Sequence, residues 1–306
     1  MSKSTTALIF LLATALFGFS VKAQERDDSR LTPAERNRTG TLRQLIPGYY
    51  VFSSTSFNSG VIATSEGVVV LDALTSEAIA RQEREAIASV IKQPVRFLVS
   101  STFHNNYTWG NIAYRDVVKI GHEDYRTDLL AQMQRDRASP EEQKARLPQI
   151  TYRDRLTIHL GGKEIQVLYL GKGHTRSDSI IFVPQDRIAY VSELFFSDQF
   201  LYINDGYGVS WLKTLDAVEA LPADIIVPAH GPIPEDPRET RQGLRRFRQM
   251  LVDLRDAVQK EIARGATEDQ AAAAIKLPQY EQMQGYKSQR EVAVRRTYRE
   301  LMGTIK

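Results

Sequence analysis

Apolar residues fall in short dense runs as far as about residue 235 and at wider, helix-like spacing beyond it. The first runs, Gly48–Ser53, Ser59–Thr64 and Val68–Asp72, are rich in β-branched and aromatic residues. Turn signals at Asn58-Ser59-Gly60 and Ser65-Glu66-Gly67 split them. Such residues fit a pleated, half-buried surface, so three strands are predicted. Ser76 is placed to cap a helix running through Ala88 to about Lys92, where Pro94 breaks it. Val95–Ser100 and Val117–Ile120 are apolar enough to be buried strands, and Tyr125–Arg137 and Pro140–Arg146 have helical patterns. Leu156–His159 and Glu164–Leu170 flank Gly161-Gly162 as a hairpin. Ser179–Val183 and Arg187–Val191 form a second pair around Pro184-Gln185-Asp186. Tyr207–Leu221 reads as a helix, and Asp224–Val227 as a last buried strand running into Pro228-Ala229-His230-Gly231.

Beyond that point helices dominate. Asp236-Pro237 supplies a cap with proline in the first turn, and the helix runs to about Arg264 with Gly265 as its stop. Thr267-x-x-Gln270 and Ser288-x-x-Glu291 are capping boxes, each opening a further helix. The pattern predicts an α/β domain over 44–235 and a helical C-terminal extension over 236–306. A polar, flexible lead-in over 24–43 precedes them.

Composition, 42% hydrophobic and 25% charged, is that of a globular protein. Residues 1–23 stand apart. Lys3 opens the segment, Thr6–Val21 is apolar, and Val21-Lys22-Ala23 has the small-x-small form of a signal-peptidase site, so export to the periplasm or medium is expected. The apolar stretch is shorter than the roughly 20 residues of a membrane span, so no stable span is expected after processing; a retained N-terminal anchor is the alternative. Cleavage removes Lys3 and Lys22 and no acid, so the formal charge falls from +3 to +1. A nearly neutral chain gives no electrostatic reason for binding nucleic acid or an acidic membrane. Arg241, Arg245, Arg246 and Arg248 lie among Asp236, Glu239, Asp253 and Asp256 at helical spacing and read as a solvated helix face. There is no cysteine, so thiolate ligands and nucleophiles are excluded. Any metal must sit on His, carboxylate, amide or phenol groups.

Four loops, each following an apolar strand, carry such groups: His104; His174 in Gly173-His174-Thr175; Glu193 in Val191-Ser192-Glu193-Leu194; and His230. The carboxyl ends of strands are where open α/β sheets place their chemistry. His122 and His159 read as structural, Asp72 as an anchor for its loop, and Arg176 with Asp178 either as a clamp for a substrate carboxylate or as a pair with each other. Trp109 reads as a plug or an apolar wall for the pocket.

This serial layout resembles the metallo-β-lactamase superfamily from Tyr49 to about Pro234. Asn58, Gly67, Thr108 with Gly110-Asn111, and Gly121-His122-Glu123 are supporting markers. The family's H-x-H-x-D-H motif falls on Thr102, His104, Asn106 and Tyr107, so the motif is degenerate. The resemblance implies an αββα sandwich. It also implies that His104, His174 and His230 match metal-binding positions and that Glu193 replaces the bridging Asp. Thr102, Asn106 and Tyr107 depart from the pattern, which argues against two metals. A single zinc on His104, His174 and Glu193 is expected, with His230 completing the set or orienting a water. Ferrous iron suits the same donors but is the second choice. The implied activity is slow hydrolysis of a small lactam, ester or thioester. Asn106 would donate to the attacking water and Tyr107 would stabilise the oxyanion. The alternative is a non-catalytic relative that binds a small ligand or partner after losing the metal. Tyr280, Tyr286 and Tyr298 with Val292, Val294 and Leu301 are read as packing onto the sandwich or, in a homo-oligomer, onto a second subunit.

Overall fold

The computed structural model describes residues 40–305; the segment read as a signal peptide and most of the lead-in lie outside them. The first sheet contains β1 (Thr41–Ile46), β2 (Tyr49–Ser54), β3 (Phe57–Ala63), β4 (Val68–Leu71), β5 (Val95–Val99), β6 (Val118–His122) and β7 (Ile150–Tyr152), side by side in chain order. It is antiparallel from β1 to β4 and parallel from β4 to β7. The second sheet contains β8 (Arg155–Leu160), β9 (Lys163–Leu168), β10 (Ile180–Val183), β11 (Ile188–Tyr190) and β12 (Ile225–Val227), antiparallel except for the β11–β12 pair.

Side-chain alternation makes these sheets a sandwich. In β4, Val69 and Leu71 enter the core shared with Ile181, Val183, Ile188 and Tyr190 of the second sheet, while Val68 and Val70 enter a separate outer core. In β10, Ile181 and Val183 face inward and Ile180 and Phe182 face outward. Strands apolar on both faces need cover on both faces. On the first sheet that cover is α1 (Glu77–Val90), capped by Ser76, with the 3-10 segment Trp109–Tyr114 beside it. The short α2 (Asn105–Thr108) precedes that segment; α3 (Glu123–Arg135) and α4 (Pro140–Arg146) follow β6. The second sheet is covered by α5 (Gly208–Glu219), α6 (Thr240–Ala263), α7 (Glu268–Ala274) and α8 (Tyr286–Leu301). Their Trp211, Leu215, Phe247, Leu254 and Val294 share one core with Phe182 and Ile226. No helix among the described residues is long and apolar enough to cross a membrane.

Several details differ from the sequence reading. β1 begins at Thr41, inside the segment read as lead-in, and the edge strands β1 and β7 lack a continuous apolar run. Thr267 and Gln270 make the expected capping box on α7, but α8 starts at Tyr286, behind Gly285 at φ 88. Ser288 therefore lies within the helix and donates to the Gly285 carbonyl (3.1 Å). Gln284 is already fixed there by accepting from the Phe200 amide (2.9 Å), so the helix begins one turn early. The arginines of α6 are not simply a solvated face. Arg241 donates to the Ala223 and Glu219 carbonyls, Arg245 pairs with Glu219 (3.0 Å), and Arg248 pairs with Asp216 (2.6 Å), clamping α6 to α5. The C-terminal tyrosines are used within the chain: Tyr280 donates to Asp253 (2.7 Å) and Tyr298 to the Ala266 carbonyl (2.9 Å).

Candidate metal centre

The loops after β5, β9, β11 and β12 meet at one end of the sandwich. Backbone and side-chain ties shape each. Asp72, at the end of β4 with φ 66, is fully buried. It accepts from the Ser101 amide (2.7 Å), the Ser101 hydroxyl and the Tyr190 hydroxyl (2.8 Å), so it fixes the start of the 101–108 loop against β11. That is the anchoring role expected of it. Burial raises its carboxyl to about 7, although the bonds from Ser101 and Tyr190 pull it down. Gly110 lets this loop lie against the β4–α1 connection, since a Cβ there would stand 1.7 Å from the Ala73 carbonyl oxygen. Asn58 holds the His230 loop by donating to the Pro228 (3.1 Å) and Gly231 (2.9 Å) carbonyls. Asp178 shapes the His174 loop by accepting from the Thr175 amide and hydroxyl, both at 2.7 Å.

Glu193 sits at the centre, in a 3-10 turn (Ser192–Leu194) just after β11. Its Oε2 lies 2.7 Å from His104 Nδ1, 3.2 Å from His174 Nδ1 and 3.0 Å from the Thr102 hydroxyl. Its Oε1 receives His230 Nε2 at 3.0 Å and the Asn106 amide at 3.3 Å. Burial opposes the charge on Glu193, yet the imidazoles of His174 and His104 hold its carboxyl well below the usual range. Burial likewise opposes a proton on His104, but Glu193 and Asp205 on its two ring nitrogens raise it to about 10. His230 goes the other way: burial keeps it below its ordinary value.

His104, His174 and Glu193 could hold a cation, since one ligand atom from each lies within 4.8 Å of the others. His174 supplies the test of fit. It is fully buried, and neither ring nitrogen has a hydrogen-bond partner; its approach to Glu193 is near but off the bonding direction. An imidazole so placed carries a desolvation cost of about 1–3 kcal/mol unless something binds it. A tetrahedral zinc with bonds near 2.05 Å needs ligand atoms about 3.3 Å apart. The His174–Glu193 separation already meets that, and the 2.7 Å His104–Glu193 bond must open slightly. The donors fit one cation. His230 stands on the far oxygen of Glu193 and outside this group.

The degenerate motif residues are occupied. Tyr107 is buried, its hydroxyl donates to the Ala229 carbonyl (2.5 Å), and burial lifts its ionisation well above the ordinary value. Its ring packs edge-on against His230, with centroids 5.5 Å apart, so it fills space rather than presenting a hydroxyl to a substrate. Asn106 donates to Glu193. Trp109 is partly exposed in the turn that follows. Arg176 does not pair with Asp178; it binds Asp128 (2.7 Å) and Asp124 (3.4 Å) of α3. His122 caps α3 by accepting from the Asp124 amide (3.1 Å), and His159 is exposed on β8. Sequence reasoning missed Asp205, whose Oδ2 lies 3.1 Å from His104 Nε2. It belongs to an Asn-Asp-Gly turn 101 positions away, which carries no signal pointing to the site.

A two-sheet sandwich with its chemistry gathered at one end from four strand-terminal loops defines the class, and the chain belongs to the metallo-β-lactamase superfamily. Residues 56–230 match that family's model. Among curated relatives, the type 2 metallo-β-lactamase of Bacteroides fragilis is 23% identical over 73% of this chain and 89% of its own. The 2,4-dinitroanisole O-demethylase subunit alpha of Nocardioides sp. is 24% identical over 57% of this chain, and the match spans only 52% of that subunit. A metallo-β-lactamase from Pontibacter korlensis superposes with a TM-score of 0.59 at 19% identity, over 69% of this chain and 98% of that one. The stereoselective inverting sec-alkylsulfatase from Pseudomonas sp. reaches 0.68 at 15% identity, over 87% of this chain and 51% of that one. At such identities these structures speak for the fold.

Proposed function

We propose that the protein is an exported hydrolase of a small carbonyl substrate (a lactam, ester or thioester) that works with one divalent cation, zinc by preference, on His104, His174 and Glu193. The observation that carries this reading is His174, fully buried with neither ring nitrogen hydrogen-bonded and with Nδ1 3.2 Å from the Oε2 of an ionised Glu193. A bound zinc would supply Lewis acidity and bring water's pKa toward neutrality. The protein's own groups prepare for it. His230 and Asn106 bind Oε1, leaving Oε2 turned toward His104 and His174. His230 thus orients the carboxylate rather than completing the ligand set. Asn106 can donate a hydrogen bond but cannot take a proton, and Tyr107 is committed to Ala229, so turnover should be slow beside relatives with the full motif.

A second reading has its own support. Thr102, His104, Asn106 and His230 already give Glu193 four donors, which suits a pocket that binds a ligand without metal or catalysis. Elemental analysis of residues 24–306, purified without added metal and again after zinc is offered, decides between them. Near-stoichiometric metal, lost in His104→Ala and His174→Ala together with ester or lactam hydrolysis, supports the hydrolase. No metal under either condition rejects it in favour of the binding pocket.

A further inference from the structure

His104 faces the proposed cation with Nδ1 and meets Asp205 with Nε2. A neutral imidazole carries one N–H, and a carboxylate at Nε2 claims it as a donor, leaving the Nδ1 lone pair for a metal. Asp205 is 55% exposed and lies in the turn before α5, outside any helix or strand. Its position must therefore be set by what holds the turn.

What holds it is α8. The Arg296 guanidinium donates twice to the Gly206 carbonyl, at 3.1 and 2.8 Å, directly after Asp205. Glu300, one turn further along the helix, accepts from the Val209 amide (2.8 Å), the Ser210 amide (2.9 Å) and the Ser210 hydroxyl (2.7 Å) at the start of α5. Gly208 allows the close approach, since a Cβ there would stand 2.8 Å from Thr297 Oγ1. On the other side, the Tyr207 amide donates to the Gly173 carbonyl (2.8 Å), next to His174. The turn bearing Asp205 is thus suspended between the helical extension and the His174 loop.

We propose that the C-terminal extension is a working part of the metal centre: Arg296 and Glu300 hold the 204–208 turn so that Asp205 fixes His104 with Nδ1 toward the cation. Asp205, Arg296 and Glu300 are positioning residues, and the inference rests on the one-cation reading above. Helix α8 thus supports the Asp205 turn as well as covering the second sheet.

The test is a zinc affinity measured by chelator competition on the full chain, with apo-protein melting recorded in parallel. NMR of the zinc-loaded protein reports the hydrogen bonding and exchange of the His104 Nε2–H proton. Asp205→Asn should weaken zinc about 10- to 100-fold, as loss of an outer carboxylate on a ligating histidine does. The Nε2–H proton, which zinc on Nδ1 keeps in place, should lose its carboxylate acceptor and exchange faster with water, and apo melting should fall by no more than the loss of a half-exposed ion pair allows. Asp205→Glu should recover part of the affinity. Arg296→Met and Glu300→Gln should weaken zinc in the same direction, with Arg296→Lys intermediate. If Arg296→Met loses too much stability, Glu300→Gln carries that arm. Unchanged affinity and Nε2–H exchange in Asp205→Asn would overturn the proposal, and an effect of Asp205→Asn without one from Arg296→Met or Glu300→Gln would overturn the part given to α8. The His174→Ala variant separates the two readings. Zinc lost there but unaffected by Asp205→Asn refutes only this inference, while a wild-type chain that takes no zinc refutes both.

Discussion

The behaviour of Glu193 turns on which of its oxygens each neighbour reaches. Thr102 and Asn106, which look in sequence like lost ligands, are hydrogen-bond donors to this one carboxylate, an arrangement set by folding and not by spacing. Glu193→Gln keeps the shape but removes the charge. Zinc binding should fall below detection in the elemental assay, because two imidazoles alone make a poor site. Tyr107 gives a contrasting expectation. Tyr107→Phe removes one of the two donors to the Ala229 carbonyl, which keeps the Asn58 amide (2.8 Å), and should cost about 0.5–1.5 kcal/mol in urea unfolding, with zinc stoichiometry unchanged. Hydrolysis that fell with Tyr107→Phe at constant metal content would restore the oxyanion role read from sequence.

At the scale of elements, what was legible followed from runs and punctuation. The strands ending at Ser100, Leu170, Val191 and Val227 are dense in apolar residues, and each is followed by a loop bearing a histidine or glutamate, so the four side chains that the fold brings together stand out in the sequence. The short edge strands β1 and β7 escaped because an edge strand with one exposed face needs no apolar run. Arg176 finding Asp128, and the α6 arginines finding α5, depend on which helices become neighbours, and local spacing does not encode that. The joint between the second sheet and the extension can be tested at Trp211, fully buried against Phe247 with ring centroids 5.5 Å apart. Trp211→Ala should destabilise the protein by about 3–5 kcal/mol, read as a lower urea midpoint.

Across the whole molecule, two buried carboxyls away from the cation site, Glu83 and Asp72, contribute to the response to pH. Glu83 of α1 accepts from Ser59 and Tyr114, and burial raises it from 4.5 to about 8, while Asp72 rises to about 7. The folded state retains these protons after the unfolded chain has released them, so stability should fall as pH rises from about 4.5 to 8. Glu83→Gln keeps the group neutral. It should flatten the change in melting temperature over that window, matching wild type near pH 5 and exceeding it near pH 8. Equal slopes would show that Glu83 is ionised in the native protein.

The bond from Tyr107 to Ala229 also bears on how a second metal site could be built into this chain. In the register of the family motif it occupies the position of a histidine, and it is locked to the main chain in the space beside His230. Tyr107→His alone would give up that bond while Thr102 and Asn106 still could not serve a second ion. A single step back should therefore melt below the present protein, with or without zinc. Only the joint change of Thr102→His, Asn106→Asp and Tyr107→His offers a second cation enough donors to offset the loss. The tyrosine therefore acts as a latch: from this sequence a second metal site should be reachable only through substitutions made together, not one at a time.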